Sequence, residues 1–495
     1  MTAQFVDVLI MGAGLSGIGA AVHLQKDCPS KSYLILEGRN AMGGTWDLFR
    51  YPGIRSDSDM YTLGYNFKPW TNPKSIADGE SIRQYIKDTA QEYGVERHIR
   101  YGHKVLSADW DSVNAQWKVQ VDVNGEQKEF HCNFFLSCSG YYNYAAGYEP
   151  EFNGRNQFKG QVIHPQHWPE DLDYTGKKVV VIGSGATAVT LVPSMADKAS
   201  HVTMLQRSPS YVVGVPEKDH MSNKLREYLP DTLVYRLART RNVALGMGLY
   251  GFSRFYPEKM RNLVQGHVEK AIGPNVDMKH FTPKYNPWDE RLCAVPNGDL
   301  FRALRKGKVS VVTDHIDTFT EEGILLKSGE KLDADIIVTA TGLDIQILGG
   351  MSLSIDGIPY DVSKKMYYKG LMFEDLPNFG MVFGYTNASW TLKADLISEF
   401  VCRLLKHMDK KGLRQVTPRN QGDVEHIPFV DMSSGYIQRA LAKVPRQGSK
   451  APWKLYQNYV LDLLMLRYGR LLDGSLEFSH PAKSVSRSTA SSAVA

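Results

Sequence analysis

Apolar positions near the start of the chain fall in two short runs separated by a stretch with helical spacing. Phe5–Met11 (FVDVLIM) is short, apolar and β-branched, which predicts a buried strand. GAGLSG follows, then the helical run IGAAVHLQKD, then YLILE as a second strand. The same pattern returns in mid-chain, with KVVVIG as strand, GSGATA as loop, VTLVPSMAD as helix and HVTMLQR as strand. One β–glycine loop–α–β unit is thus used twice, which differs from a solenoid repeat.

Between the two units, WKVQVDV and FHCNFFLSCSG predict further strands. Residues 216–285 mix Arg, Lys and apolar residues and read as a helical insertion. KLDADIIVTATG predicts a strand ending in a turn, and ADLISEFVCRLLKHM a helix. The small polar tail AKSVSRSTASSAVA predicts disorder. The expected fold class is α/β, with two Rossmann-like dinucleotide-binding domains and a helical insertion. The expected division is 1–145 and 343–480 for the first domain with C-terminal helices, 146–215 and 286–342 for the second, 216–285 for the insertion and 481–495 for the tail.

Composition narrows the function. A net charge of +5 over 495 residues is too weak a bias for a nucleic-acid binder. Five scattered cysteines form no C-x-x-C pair, which argues against a disulfide framework, a zinc site and a thiol redox pair. No metal site is expected, and a reducing, cytoplasmic location is. No signal peptide and no apolar run of spanning length is seen. Residues 224–261, where basic residues flank VALGMGLYGF, read either as a lid over the substrate cleft or as a peripheral membrane contact.

Gly12, Gly14 and Gly17 form G-x-G-x-x-G between a strand and a helix. The first glycine permits the tight turn, the second lets the backbone approach a pyrophosphate, and the third lets helix and strand pack closely. Glu37, at the end of the next strand, suits the ribose hydroxyls of an adenosine. This first unit is expected to bind FAD. Gly183, Gly185 and Ala188 form G-x-G-x-x-A, with Thr187 inside the motif. Arg207-Ser208 stands where a carboxylate would repel a 2′-phosphate, so the second unit is expected to bind NADPH.

Two longer strings carry a family resemblance. Phe158-x-Gly160-x-x-x-His164-x-x-x-Trp168-Pro169 resembles the F-x-G-x-x-x-H-x-x-x-W-P fingerprint of type I (class B flavoprotein) Baeyer–Villiger monooxygenases. Gly43-Gly44-Thr45-Trp46 followed by Tyr51-Pro52-Gly53 and Asp57 resembles their G-G-x-W-x-x-x-x-Y-P-G-x-x-x-D string. YNPWDERLC, VPNGDLFRA and NASWTLKADL are similar to the ethionamide-activating members of mycobacteria.

The resemblance implies an NADPH- and O₂-dependent enzyme. It converts ketones to esters or lactones through a C4a-peroxyflavin and oxidises sulfides or thioamides. It also implies Asp57 and Arg291 as catalytic residues, and Gly44, Thr45, Trp46 and Asp57 at the flavin. Related ketone oxidisers often carry Lys just before that arginine, on the 2′-phosphate. Glu290 stands there in this chain, leaving more of that recognition to Arg207 and Ser208 or to another lysine such as Lys284. His164 reads as a structural or conformational residue, and Trp390 as a flavin neighbour or ordinary packing. The alternatives are an N- or S-oxidising flavin monooxygenase and a flavoprotein reductase or redox sensor.

Overall fold

The computed structural model describes residues 3–290, 292–422, 424–429 and 435–480. The predicted tail, 481–495, and Arg291 lie outside the described residues. The chain opens with β1 (Gln4–Met11), α1 (Leu15–Asp27) and β2 (Tyr33–Leu36). Strands β3 (Ile99–Arg100), β4 (His103–Asp111), β5 (Gln116–Val123) and β6 (Glu126–Ser137) follow. A second group comprises β7 (Gln161–Ile163), β8 (Lys178–Ile182), α2 (Ala186–Met195) and β9 (His201–Gln206). Helices α3 (Asp231–Phe255) and α4 (Pro257–Ile272) precede β10 (Val309–Thr313) and β11 (Ile336–Thr339). The chain then supplies β12 (Ser352–Ile355), β13 (Ile358–Pro359), β14 (Phe379–Met381), α5 (Trp390–Lys411) and α6 (Tyr459–Leu463).

Two sheets organise these elements. The larger has nine strands in the order β13-β12-β4-β5-β6-β1-β2-β3, with β14 also pairing β6. Its β1, β2, β3 and β14 pairings are parallel, whereas β4-β5-β6 is an antiparallel meander. The second is an all-parallel sheet, β10-β9-β8-β11-β7. Helix α1 packs on α5 over the first sheet, burying Val8, Ile18, Ala21, Ile397, Val401 and Leu404 in one core. Helix α2 lies over the second sheet, whose core includes Val179, Val181, Val189, Val202 and Val338.

The single strand expected in KLDADIIVTATG is two strands in different sheets. Lys331–Asp333 joins a small antiparallel sheet, and β11 starts at Ile336. Between them the exposed Asp335 clasps the start of β8: its N–H donates to Lys178 O (2.8 Å) and its carboxylate accepts from Lys178 N (2.7 Å). All five cysteines are buried and unbridged. Among the described residues no helix is long and apolar enough to cross a membrane.

Candidate functional site

The first glycine loop leaves β1 at Gly12, whose φ of +103° is in the range that favours glycine. A Cβ on Gly17 would lie 1.9 Å from Gly12 O, so the third glycine is required for α1 to start against β1. Gly14 caps α1 without a side-chain partner, which leaves the first-turn N–H groups facing a phosphate position. Glu37 accepts from Ala13 N (2.8 Å) and Arg39 N (2.9 Å), one on each oxygen. A carboxylate oxygen has two lone pairs, so both retain capacity for a ribose diol. Burial pushes the Glu37 carboxyl above its ordinary range, against the two backbone donors and the nearby Arg39.

Gly43–Gly44 closes over this loop. Gly43 N donates to Ala13 O (3.0 Å), and a Cβ on Gly44 would stand 3.1 Å from Gly14 Cα. Thr45 begins a short helix, Thr45–Leu48, faced by the hydroxyl of the half-buried Tyr144, and Trp46 packs half-buried on the core. One device here is absent from the sequence reading. Asp47, directly after Trp46, is a buried carboxylate gripped by Arg39 (2.9 Å), Arg50 (2.8 Å) and Arg83 (3.3 Å). Three guanidiniums on one carboxylate fasten the second loop and leave positive charge beside the first. The adjacency of GGTW and Asp47 was its only sequence signal.

The string Tyr51–Asp57 then crosses to the second unit. A Cβ on Gly53 would fall 1.9 Å from Ser194 Oγ and 3.3 Å from Thr190 O, both on α2. The Tyr51 hydroxyl faces Thr187 in the second glycine loop. Burial, reinforced by the field of Asp57, raises the Tyr51 phenol far above its ordinary range. Gly53 and Tyr51 of this string therefore meet the second glycine unit, and Asp57 follows them in the chain. Arg55, beside it in sequence, pairs with Asp299 (2.5 Å).

The second loop repeats the first. Gly185 caps α2 with no side-chain partner and open space around it, and Ala188 is fully buried. A Cβ on Gly183 would meet Ala340 O at 2.4 Å, at the end of β11. Arg207 and Ser208 follow β9 directly and are exposed. The half-buried Glu290 is acted on by Arg207, while its own burial raises it. Cys293, two residues beyond Arg291, brings its Sγ to 4.0 Å from Ser184 O in the loop. The loops and their carboxylate and guanidinium ends thus fit two dinucleotides.

The flavin-binding monooxygenase-like family model matches residues 69–348, and an NAD(P)-binding Rossmann-like model matches residues 10–70. The chain belongs to the flavin-binding monooxygenase-like family. It is 54% identical over 492 residues to the FAD-containing monooxygenase EthA of Mycolicibacterium smegmatis, covering 99% of this chain and 100% of that one. Its fold is similar to oxidized steroid monooxygenase bound to NADP (TM-score 0.77, 21% identity, covering 96% and 100%). It is also similar to open cyclohexanone monooxygenase (TM-score 0.76, 20% identity, covering 96% and 100%). FAD and NADPH, the cofactors expected from the two loops, are in keeping with both family models.

In this flavin monooxygenase, Trp390 bears on the flavin loop. Its Nε1 donates to Ser16 Oγ within the first glycine motif (2.7 Å), and its ring stacks on Tyr141 (5.2 Å, 16°). Both rings line an apolar pocket completed by Phe383, Phe429, Leu441 and Val444. The sequence reading missed this pocket, because its walls come from five separated segments. Among the described residues no group of His, Cys, Asp or Glu is arranged to hold a metal ion.

The fingerprint string lies at the connection between the sheets. Phe158 is buried edge-on to Phe319. A Cβ on Gly160 would lie 2.2 Å from Asp335 O, and Trp168, followed by Pro169, packs on the second core. The two connecting segments are laced together: Asn143 N donates to Asp344 O (2.9 Å), Gln346 N to Tyr141 O (3.0 Å) and Tyr148 N to Gly342 O (3.0 Å). His164 sits on this lacing. Its Nδ1 accepts from Gln166 N (3.2 Å) and its Nε2 faces Gly342 O (3.3 Å), so the neutral ring with Nε2–H satisfies both.

Burial lowers the His164 pKa from its ordinary value. The unfolded chain then binds this proton more readily, near the usual pKa of about 6.5, and acidification through that value favours unfolding. The wild-type Tm is expected to fall more steeply than that of His164→Asn between neutral pH and about pH 5. Parallel melting curves across that range would remove the role.

Proposed function

We propose that the protein is an NADPH- and O₂-dependent FAD monooxygenase that inserts one oxygen atom into ketones, giving esters or lactones. It also oxidises the sulfur of sulfides and thioamides such as ethionamide. The observation that supports this reading is the seam: Gly53 is seated on α2 and the Tyr51 hydroxyl faces Thr187, so the string that ends in Asp57 runs from the first glycine unit onto the second. A reductase or redox sensor needs no charged group held there. In the overall reaction two electrons come from NADPH, one oxygen atom enters the product and the other leaves as water.

Bound flavin supplies electron transfer from the nicotinamide and activation of O₂. The chain's own residues place and shield it. Glu37 and the Gly12–Gly17 turn take the adenosine ribose and pyrophosphate. Gly44, Thr45 and Trp46 close over them, while Asp47 and its arginines hold that closure in place. Gly183, Gly185, Thr187 and Ala188 form the nicotinamide dinucleotide's cradle. Trp390 and Tyr141 present an apolar wall that keeps water from the reacting centre.

Arg291 is assigned the developing oxyanion of the ketone adduct, since a guanidinium stays charged and its donors are directional. Asp57 is assigned its orientation by a charge-assisted pair. Arg207, with Ser208, is assigned the 2′-phosphate. Arg207→Ala is expected to raise KM for NADPH roughly tenfold or more, the worth of one charge-assisted hydrogen bond, and to leave KM for NADH unchanged. An unchanged preference between the two would withdraw the assignment.

The reaction is tested with purified enzyme, NADPH, O₂ and a panel of linear, cyclic and aromatic ketones plus a sulfide, with products identified by mass spectrometry. Esters support the proposal. Sulfoxide without any ester from the panel would make the protein an S-oxidising flavin monooxygenase instead.

A further inference from the structure

Two neighbouring stretches of the surface are partly inverted, although α3 and α4 also bury Val234, Tyr235, Met260 and Val264. Among the described residues, 16 of the 20 exposed large apolar side chains lie in 221–263 and 456–472. On α3 several polar residues point inward: Arg239 donates to Tyr61 O and Gly64 O (both 2.8 Å) and pairs with Asp395 (3.2 Å). Arg241 pairs with Asp219, and the buried Ser253 donates to Pro287 O. Its outward residues are Leu245, Leu249, Phe252 and Phe255, the last 82% exposed.

The segment through α6 repeats the inversion. Asp462 is buried against Lys393 (2.8 Å) and the Tyr385 hydroxyl (2.7 Å). Arg467 grips Glu399 (2.6 Å), and Asp473 grips the buried Lys369 (2.8 Å). Val460, Leu461, Leu464, Tyr468 and Leu472 face outward, Tyr468 at 69% exposure. The two stretches share one region, because Asp395 lies on α5, α6 packs on α5, and Tyr459 sits in the field of Arg239.

Water does not favour this arrangement. Charges turned inward and apolar groups outward suit an apolar surrounding. Sequence charge agrees with an anionic one. Residues 220–272 and 454–472 hold twelve basic and five acidic residues, a surplus of seven where the whole chain has five. Several of these cations pair with carboxylates elsewhere; Lys224, Arg236, Lys259, Lys270 and Arg470 are exposed, as are the acidic Glu227, Asp231, Glu258 and Glu269. Lys259 lies over the Tyr256 ring (4.9 Å), an arrangement suited to a headgroup boundary.

We propose that the face formed by α3, α4 and the α6 segment docks the enzyme on the surface of an anionic lipid bilayer, without crossing it. Outward apolar side chains enter the boundary between headgroups and acyl chains, and the flanking lysines and arginines meet anionic headgroups. This inference is independent of which oxygenation the enzyme performs.

The test is flotation of FAD-loaded enzyme with vesicles of phosphatidylglycerol and phosphatidylcholine, or of phosphatidylcholine alone. The wild type is expected to float with the anionic vesicles and to be released in part by high salt. Leu249→Asp with Phe255→Asp, and Leu464→Asp with Tyr468→Asp, are each expected to lower partitioning at least tenfold. FAD content and NADPH oxidation are expected to stay at wild-type level. Wild-type protein that stays in the soluble fraction with both vesicle types would overturn the proposal, as would variants that float like wild type. Sedimentation showing a dimer that the same substitutions dissociate, with no vesicle binding, would assign the face to a second copy of the chain.

Discussion

Gly17→Ala is expected to emerge from purification almost free of FAD. The added Cβ would stand 1.9 Å from Gly12 O and 3.0 Å from Gly12 C, both backbone atoms with no flexible end to swing aside. Gly12 cannot yield, because a Cβ-sized shift on its other side runs into Cys138 O, 2.7 Å from its own ideal Cβ position. The first turn of α1 must therefore lift from β1, and the N–H groups aimed at the pyrophosphate move with it. Overpacking of this kind costs about 1–3 kcal/mol in stability, and the displaced donors add a loss of affinity. The ratio of flavin to protein absorbance and an FAD titration check this. Gly246→Ala on the exposed face of α3, where nothing lies within 4 Å, is the control and is expected to retain its FAD. A Gly17→Ala protein with wild-type flavin content would show that this loop is not the FAD cradle.

The second large effect is expected at Arg291. In Arg291→Ala, FAD stays bound and NADPH is still oxidised, but ester formation falls by about 10²–10³, the loss typical of removing one oxyanion stabiliser. Reducing equivalents then leave as hydrogen peroxide rather than in product. Asp57→Asn, which keeps the shape at the seam but removes the charge, is expected to lower ester yield by less and to spare NADPH oxidation. Parallel measurement of NADPH consumed, peroxide released and ester formed separates the two functions. Wild-type ester yield in Arg291→Ala would remove the assignment.

What could be read in the sequence was local. A strand, a glycine turn and a helix are contiguous, so both loops, Glu37 and Arg207 follow from spacing within about 25 residues. Other features depend on pairings across the chain, for which no local pattern exists. β14 reaches β6, and Tyr141 meets Trp390, only in the folded molecule. The buried partners Lys393 and Asp462 are likewise far apart in sequence, and charged residues read from pattern alone are placed on the surface. The family strings were legible as strings, but their physical sense was not. Gly53 is required because Ser194 occupies its side-chain space, and Gly160 because Asp335 O does.

The larger sheet has a consequence for synthesis. Its central strands β1 and β6 are complete by Ser137, yet β14, which pairs β6, begins at Phe379, and α5, which covers α1, at Trp390. Ribosomes elongate at about 5–20 residues per second, so the inner edge of β6 and the apolar side of α1 wait roughly 10–50 s for their partners. Before that interval ends, all five strands of the second sheet, β7 through β11, have been made. The flavin half of the enzyme is therefore the last to close, although it is the first to leave the ribosome.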